Sequence, residues 1–294
     1  MTTAGPAQAD LSQVLHVEQR DDDLWVGAVD VLALPQLFGG QLVGQSLMAA
    51  GRSVPEGCLP HSLHTTFLRG GRSGEPVSFR VERLRDGRSV STREVSAWQD
   101  DRLLCRTVVS CTTIDSGLSH SRPTPRALGP EAAVDLRVLA EPDGGLGRFW
   151  DDFRAIEIRV EPEPAPGADR DAVAPGAAPP QNIWMRAVDP LGDDPLLHRA
   201  AVAYASDLML MSTAVTPHGH TTGAETTLGR TWWAVSLDHT MWFHRDVRAD
   251  EWLLFEHATS AAHDSRALID AAVFGADGAQ ACRITQEALI RPLT

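Results

Sequence analysis

Lysine is absent from this chain of 294 residues, and all 26 of its Lys or Arg positions are arginine. That removes Schiff-base chemistry and a phosphate-loop lysine from any mechanism. Positive charge is short overall, and the formal net charge of -13 excludes a general nucleic-acid binder, which needs a basic face to neutralise phosphates. A small anionic ligand held by a local group of arginines stays open. The four cysteines, Cys58, Cys105, Cys111 and Cys282, form no Cys-x-x-Cys pair and lack histidines at zinc-finger spacing. Reduced thiols and no metal site are therefore expected. No stretch approaches the roughly 18 to 20 apolar residues of a membrane span. The first twenty residues also lack the basic start and apolar core of a secretory leader. A cytoplasmic protein without a membrane partner is the expectation.

What is present is ordinary globular material. A hydrophobic share of 43% and a charged share of 22% predict a packed core in one large domain or two smaller ones. The stretch Glu161 to Gln181 is rich in Pro, Ala, Gly and Asp and has no apolar periodicity. It reads as a loop, because it buries too little surface to offset its ordering entropy. The division expected is a structured region over 1–113, a loop or linker over 114–182, and a second structured region over 183–294.

Those two regions read alike. Each leads with a helical segment of low polarity, Phe38 to Ala50 in the first and Pro195 to Val215 in the second. Each continues with four alternating strand-like runs separated by turn residues. In the first these are Ser62–Leu68, Val77–Arg85, Ser89–Gln99 and Leu103–Thr112. In the second they are Trp232–His244, Trp252–Ala262, Leu268–Phe274 and Ala281–Ile290. The tails superpose in sequence: the Asp-x-Arg turns Asp86 to Arg88 and Asp264 to Arg266 lie 178 apart, and Cys105-Arg106 and Cys282-Arg283 lie 177 apart. Phe67-Leu68-Arg69 precedes Phe243-His244-Arg245 by 176. The competing reading is that unrelated hairpins reuse Asp and Gly turns. A helix leading a curved antiparallel sheet, made twice, predicts an α+β chain of two helix-wrapped sheets side by side.

Three polar residues stand out against apolar surroundings. Asp207, in AYASDLMLMS, is a carboxylate in a core helix, which is costly unless paired and is often functional. The alternative is that the helix breaks there and Asp207 caps its second part. Ser236 belongs to a strand in which Trp232, Ala234, Ser236 and Asp238 share one face while Trp233, Val235, Leu237 and His239 share the other. It is either a ligand-facing hydroxyl or a plain strand serine, and no Gly-x-Ser-x-Gly elbow makes it a nucleophile. Gln286, in CRITQEALI, can donate and accept at once, and its counterpart in the first copy is Val109. His239 and His244 are five apart and predict no zinc site; His61 and His64 read as packing residues. Gly39 and Gly40 open a helix. They are either a tight turn or a place where free N–H groups meet an anion or oxyanion.

The stretches LFGGQLVGQSLMAA, HSLHTTFLRGG, LRDGRSVSTREVSAWQ, LLHRAAVAYASDLMLM, SLDHTMWFHR and ITQEALIR together resemble the type II acyl-CoA thioesterase family. The resemblance implies a double hotdog fold, two fused helix-wrapped antiparallel sheets forming one continuous sheet. It implies hydrolysis of acyl-CoA to a free acid and CoA, in lipid metabolism, without metal, organic cofactor or covalent intermediate. Matched motif by motif, the family's water-holding Asp, hydroxyl and Gln fall on Asp207, Ser236 and Gln286, with Gly39 and Gly40 as candidate oxyanion or substrate contacts. A homo-oligomer, dimer or tetramer, is implied as well. Departures are Gly70 in place of the usual Pro, a longer Pro217 to Arg230 loop, and Ser in place of the more familiar Thr. The rival expectation is a hotdog protein that binds acyl-CoA or an acyl thioester without hydrolysing it.

Overall fold

The computed structural model describes residues 10–29, 32, 34, 36–141, 145, 150, 153–161 and 178–293. Most of the Pro- and Ala-rich stretch expected as loop, 162–177, lies outside the described residues. In chain order the strands are β1 (Val17–Asp21), β2 (Leu24–Gly27), β3 (Leu59–Phe67), β4 (Ser78–Asp86), β5 (Val90–Gln99), β6 (Arg102–Thr112) and β7 (Val134–Asp135). They continue as β8 (Ile156–Val160), β9 (Gln181–Ala187), β10 (Trp232–Ser236), β11 (Asp238–Phe243), β12 (Leu253–His263), β13 (Arg266–Phe274) and β14 (Gln280–Pro292). The α-helices are α1 (Leu11–Val14), α2 (Gly39–Arg52), α3 (Leu136–Ala140), α4 (Pro195–Ala205), α5 (Leu210–Val215) and α6 (Glu225–Thr231).

All strands among the described residues join one antiparallel sheet, ordered β1-β2-β4-β5-β6-β3-β11-β14-β13-β12-β9-β8-β7, with β10 also on β14. From the β3–β11 junction outward, the order β3-β6-β5-β4 on one side answers β11-β14-β13-β12 on the other. The registers answer too: Phe67 lies opposite Cys105 in the first copy, and Phe243 opposite Cys282 in the second. The sequence overlay therefore reflects two copies of one unit, not reused turns. β5 alternates partly buried with buried residues over its whole length, the period of a sheet with one face on a core.

The helices α2 and α4 pack antiparallel on that face. Their closeness depends on glycine: a Cβ on Gly40 would lie 2.4 Å from the Tyr204 carbonyl oxygen, and one on Gly44 3.1 Å from that of Ala200. Antiparallel packing sets the first turn of α2 against the last turn of α4, and the site forms there.

Three expectations need correction. The span 114–182 is not loop throughout; it supplies β7, α3, β8 and the start of β9. The five residues IEIRV of β8 alternate buried and half-buried, but their proximity to the Pro-rich stretch hid a strand signal this short. The second copy's long helix is interrupted between Ala205 and Leu210, where Met209 takes the left-handed conformation at φ 66°, a strained choice for a non-glycine residue. The Pro217 to Arg230 loop carries most of α6.

Candidate active site

The helix break places Asp207 at the start of α2. It caps no helix of its own, since Met209 is the N-cap of α5. Instead its carboxylate accepts the backbone N–H of Gly40, one of the amides a helix start leaves unpaired. Gly39 admits the carboxylate, because a Cβ there would lie 2.8 Å from Asp207 Oδ2 and 3.3 Å from Phe67 Cζ. The second copy thus supplies the acid, while the first supplies the amide and an aromatic neighbour. Burial pushes the Asp207 pKa up from 3.8 to about 7, opposed only in part by the Gly40 N–H. Loss of hydration destabilises a carboxylate charge that no cation among the described residues offsets.

Ser236 and Gln286 come together on the sheet. Gln286 is fully buried and donates through Nε2 to Ser236 Oγ at 3.2 Å, while Ser236 stays partly exposed. The Gln286 Oε1 lies 2.7 Å from His239 Nδ1. His239, also fully buried, places Nε2 2.8 Å from Ser206 Oγ. A hydrogen-bonded chain therefore links Ser236 through Gln286 and His239 to the residue beside Asp207. Burial lowers the His239 pKa, against its hydrogen bond to the Gln286 Oε1 and the charge of Asp238, so the ring is neutral at neutral pH.

Residue counting put His239 and Ser236 on opposite faces, which the structure corrects. The strand is broken by a bulge at Leu237: Ser236 pairs with Ala288 but Thr240 with Thr285, a one-residue slip that reverses parity. Leu237 donates its N–H to Glu287 O, and its carbonyl accepts from Phe67 N. Asp238 Oδ1 accepts from Glu287 N at 2.8 Å, pinning the bulge. The sequence signal for it was weak, a short acidic residue inside an otherwise apolar strand.

The other expected residues fall elsewhere. His61 bonds Ser110 Oγ at 2.8 Å and His64 meets Trp242 edge-on. Among the described residues no group of three His, Cys, Asp or Glu is arranged to hold a metal. The four cysteines are free and buried, and burial pushes the thiols of Cys105 and Cys111 up to about 12, which makes them inert. No helix among the described residues is long and apolar enough to cross a membrane.

Comparison with known proteins identifies the family. Residues 33–114 match the family model of the acyl-CoA thioesterase N-terminal domain, and residues 130–290 that of the C-terminal domain. Human acyl-coenzyme A thioesterase 8 is 33% identical over 96% of this chain and 88% of its own length. The crystal structure of acyl-CoA thioesterase II from Mycobacterium marinum is 35% identical, with a TM-score of 0.78 over 97% of this chain and 99% of that one. A hot dog fold protein of unknown function from Alicyclobacillus acidocaldarius shares the fold at 16% identity, with a TM-score of 0.72 over 97% of this chain and 98% of that one. The architecture is a double hotdog.

Proposed function

This chain belongs to the acyl-CoA thioesterase family, and we propose that its hydrolysis of acyl-CoA runs on a water activated by Asp207 and held by Ser236 and Gln286. The observation that carries this reading is a carboxylate whose burial raises its pKa to about 7, joined through Ser206, His239 and Gln286 to a part-buried amide–hydroxyl pair at 3.2 Å. A general base works best when its pKa lies near the working pH. Asp207 takes a proton from water while the water oxygen bonds to the thioester carbonyl carbon, giving a tetrahedral oxyanion. That species collapses with cleavage of the C–S bond, and the proton on Asp207 passes to the departing CoA sulfur. Acid and CoA thiol are released without a covalent intermediate.

Gly40 has a second role in this reading. Its N–H is held by the Asp207 carboxylate, which weakens as an acceptor once protonated. The amide is then released toward the developing oxyanion, and Gly39 leaves the backbone open for that approach. The non-catalytic binding module is not favoured. Four reduced, buried cysteines support action in the cytoplasm. The assembly proposed is a homo-oligomer, and a 31.8 kDa monomer in light scattering would refute it.

The test is thiol release from a panel of acyl-CoAs by wild type and Asp207→Asn. The variant is expected to lose about 100- to 10,000-fold in kcat, the usual worth of a general base. A variant retaining more than about half of wild-type turnover would overturn the assignment.

A further inference from the structure

We infer that His239 and Ser206 form a positioning relay that fixes the Gln286 amide, and through it Ser236, in the one orientation that serves the attacking water. The inference rests on the catalytic reading of Ser236 and Gln286 given above. It concerns two residues that do not themselves touch the reacting atoms.

Proton counting defines the relay. A neutral imidazole carries one N–H, and a Gln Oε1 can only accept. His239 Nδ1, 2.7 Å from Gln286 Oε1, must therefore hold the ring proton and donate it. The bare Nε2 then accepts the Ser206 hydroxyl proton at 2.8 Å, although Ala203 O lies equally near at 2.8 Å. With its oxygen thus engaged, Gln286 points its NH₂ toward Ser236 Oγ. Ser236 accepts there, so its own O–H is left to point at a water or thioester oxygen. Each donor in the series faces Ser236, and reversing any member would leave two donors or two acceptors face to face. His239 and Gln286 are both fully buried, so water cannot repair such a mismatch cheaply.

The first copy supplies an internal control. The positions matching His239 and Gln286 are Leu63 and Val109, paired across β3 and β6 and both fully buried. The same sheet location therefore packs well without polar groups, and a buried His–Gln pair is not required to build the fold.

The experiment measures kcat and KM for one acyl-CoA in wild type, Asp207→Asn, His239→Leu, His239→Asn, His239→Gln and Ser206→Ala. Asn carries its NH₂ where Nδ1 lies, within reach of Gln286 Oε1, whereas Gln reaches toward Ser206 instead. His239→Leu is expected to lose about 10- to 100-fold in kcat, with KM changed less than about threefold, as for a misplaced reacting group. His239→Asn should recover at least about tenfold of that loss, while His239→Gln should not. Ser206→Ala should lose about threefold. If His239→Leu fails to fold, the Asn and Gln variants decide: equal turnover by the two overturns the relay. An inactive Asp207→Asn beside a fully active His239→Leu overturns the relay alone. An active Asp207→Asn overturns the catalytic reading itself.

Discussion

The two copies use the same scaffold positions for opposite purposes. Both core helices end on a serine whose hydroxyl reaches the carbonyl three residues back, Ser53 to Ala50 and Ser206 to Ala203, each at 2.8 Å. Both serines meet a buried basic side chain from the sheet. In the first copy Arg93 Nε donates to Ser53 Oγ at 3.0 Å, and in the second His239 Nε2 meets Ser206 Oγ at 2.8 Å. From there the copies part. Arg93 spends its remaining donors on the carbonyls of Ser53, Arg85 and Thr92 and on Asp86, a closed network with nothing left for a ligand. His239 donates its one ring N–H to Gln286 Oε1 and leaves Ser236 and Asp207 open. The residue after each serine is Val54 in one copy and Asp207 in the other, and Pro60 stands where Ser236 does. At these positions one copy closes its polar groups into a network around Arg93, and the other keeps a hydroxyl and a carboxylate for chemistry.

The largest break in this comparison comes from exchanging the two residues after the serines. Asp207→Val should abolish turnover to about the extent of a lost general base, 100-fold or more, in a thiol-release assay. Val54→Asp should restore none of it in the same chain, because Pro60 and Val109 stand where the water-holding pair does. Activity returning in the double variant would show that the first copy retains a usable site.

Arg93→Met attacks the other side. Removing it takes the donor from the buried Ser53 carbonyl and from the part-buried Arg85 and Thr92 carbonyls, and buried acceptors left without partners are costly. A loss of about 2 to 4 kcal/mol in urea unfolding is expected, with kcat of the folded protein within about twofold of wild type. A parallel fall in stability and in kcat per folded molecule would mean the two copies are coupled more tightly than the separate networks imply.

Asp207 should do the reverse of Arg93. Its folded pKa of about 7 lies above the usual 3.8, so between those values the native state holds a proton that the unfolded chain has released. Stability from this group is present below about pH 4 and is lost as pH rises through 7. At pH 8 Asp207→Asn should be more stable than wild type by about 1 to 3 kcal/mol, after allowance for solvent access. That difference should vanish toward pH 4. The same ionisation gives wild-type kcat/KM a rising limb with a midpoint near 7. An Asn variant that is less stable at pH 8 would mean Asp207 is held by partners and not strained by burial.

Much of this contrast was legible in the chain itself. The turns at Asp86 and Asp264 and the Cys-Arg pairs aligned the copies, because sheet register preserves spacing. Asp207, Ser236 and Gln286 stood out as polar residues in apolar runs. His239 did not, since strict alternation assigned it to the wrong face and only the bulge at Leu237 turns it toward Gln286. The break before Met209 was one of two readings the sequence left open, because Ala, Leu and Met favour helix on both sides of it while a carboxylate there favours a break. What the chain did not show is that Asp207 lies against the start of α2 and caps nothing. β1 was missed because its residues VEQRD are exposed after the first and carry no alternation to detect.

The smallest effect tests whether the hydroxyl at the bulge is chemical or merely small. Ser236→Ala removes the acceptor for Gln286 Nε2 and should lower kcat about tenfold. It also leaves that donor unpaired beside a fully buried Gln286, so a stability loss of about 1 kcal/mol should accompany it. Ser236→Thr keeps the oxygen and adds one methyl group to a β-strand, where branched side chains are well tolerated. Its kcat should stay within about threefold of wild type, measured on the same acyl-CoA. Since the first copy carries Pro60 here and has no hydroxyl to lose, a Thr variant as impaired as the Ala variant would mean the position is selected for volume. The second copy would then owe its chemistry to Asp207 and Gln286 alone.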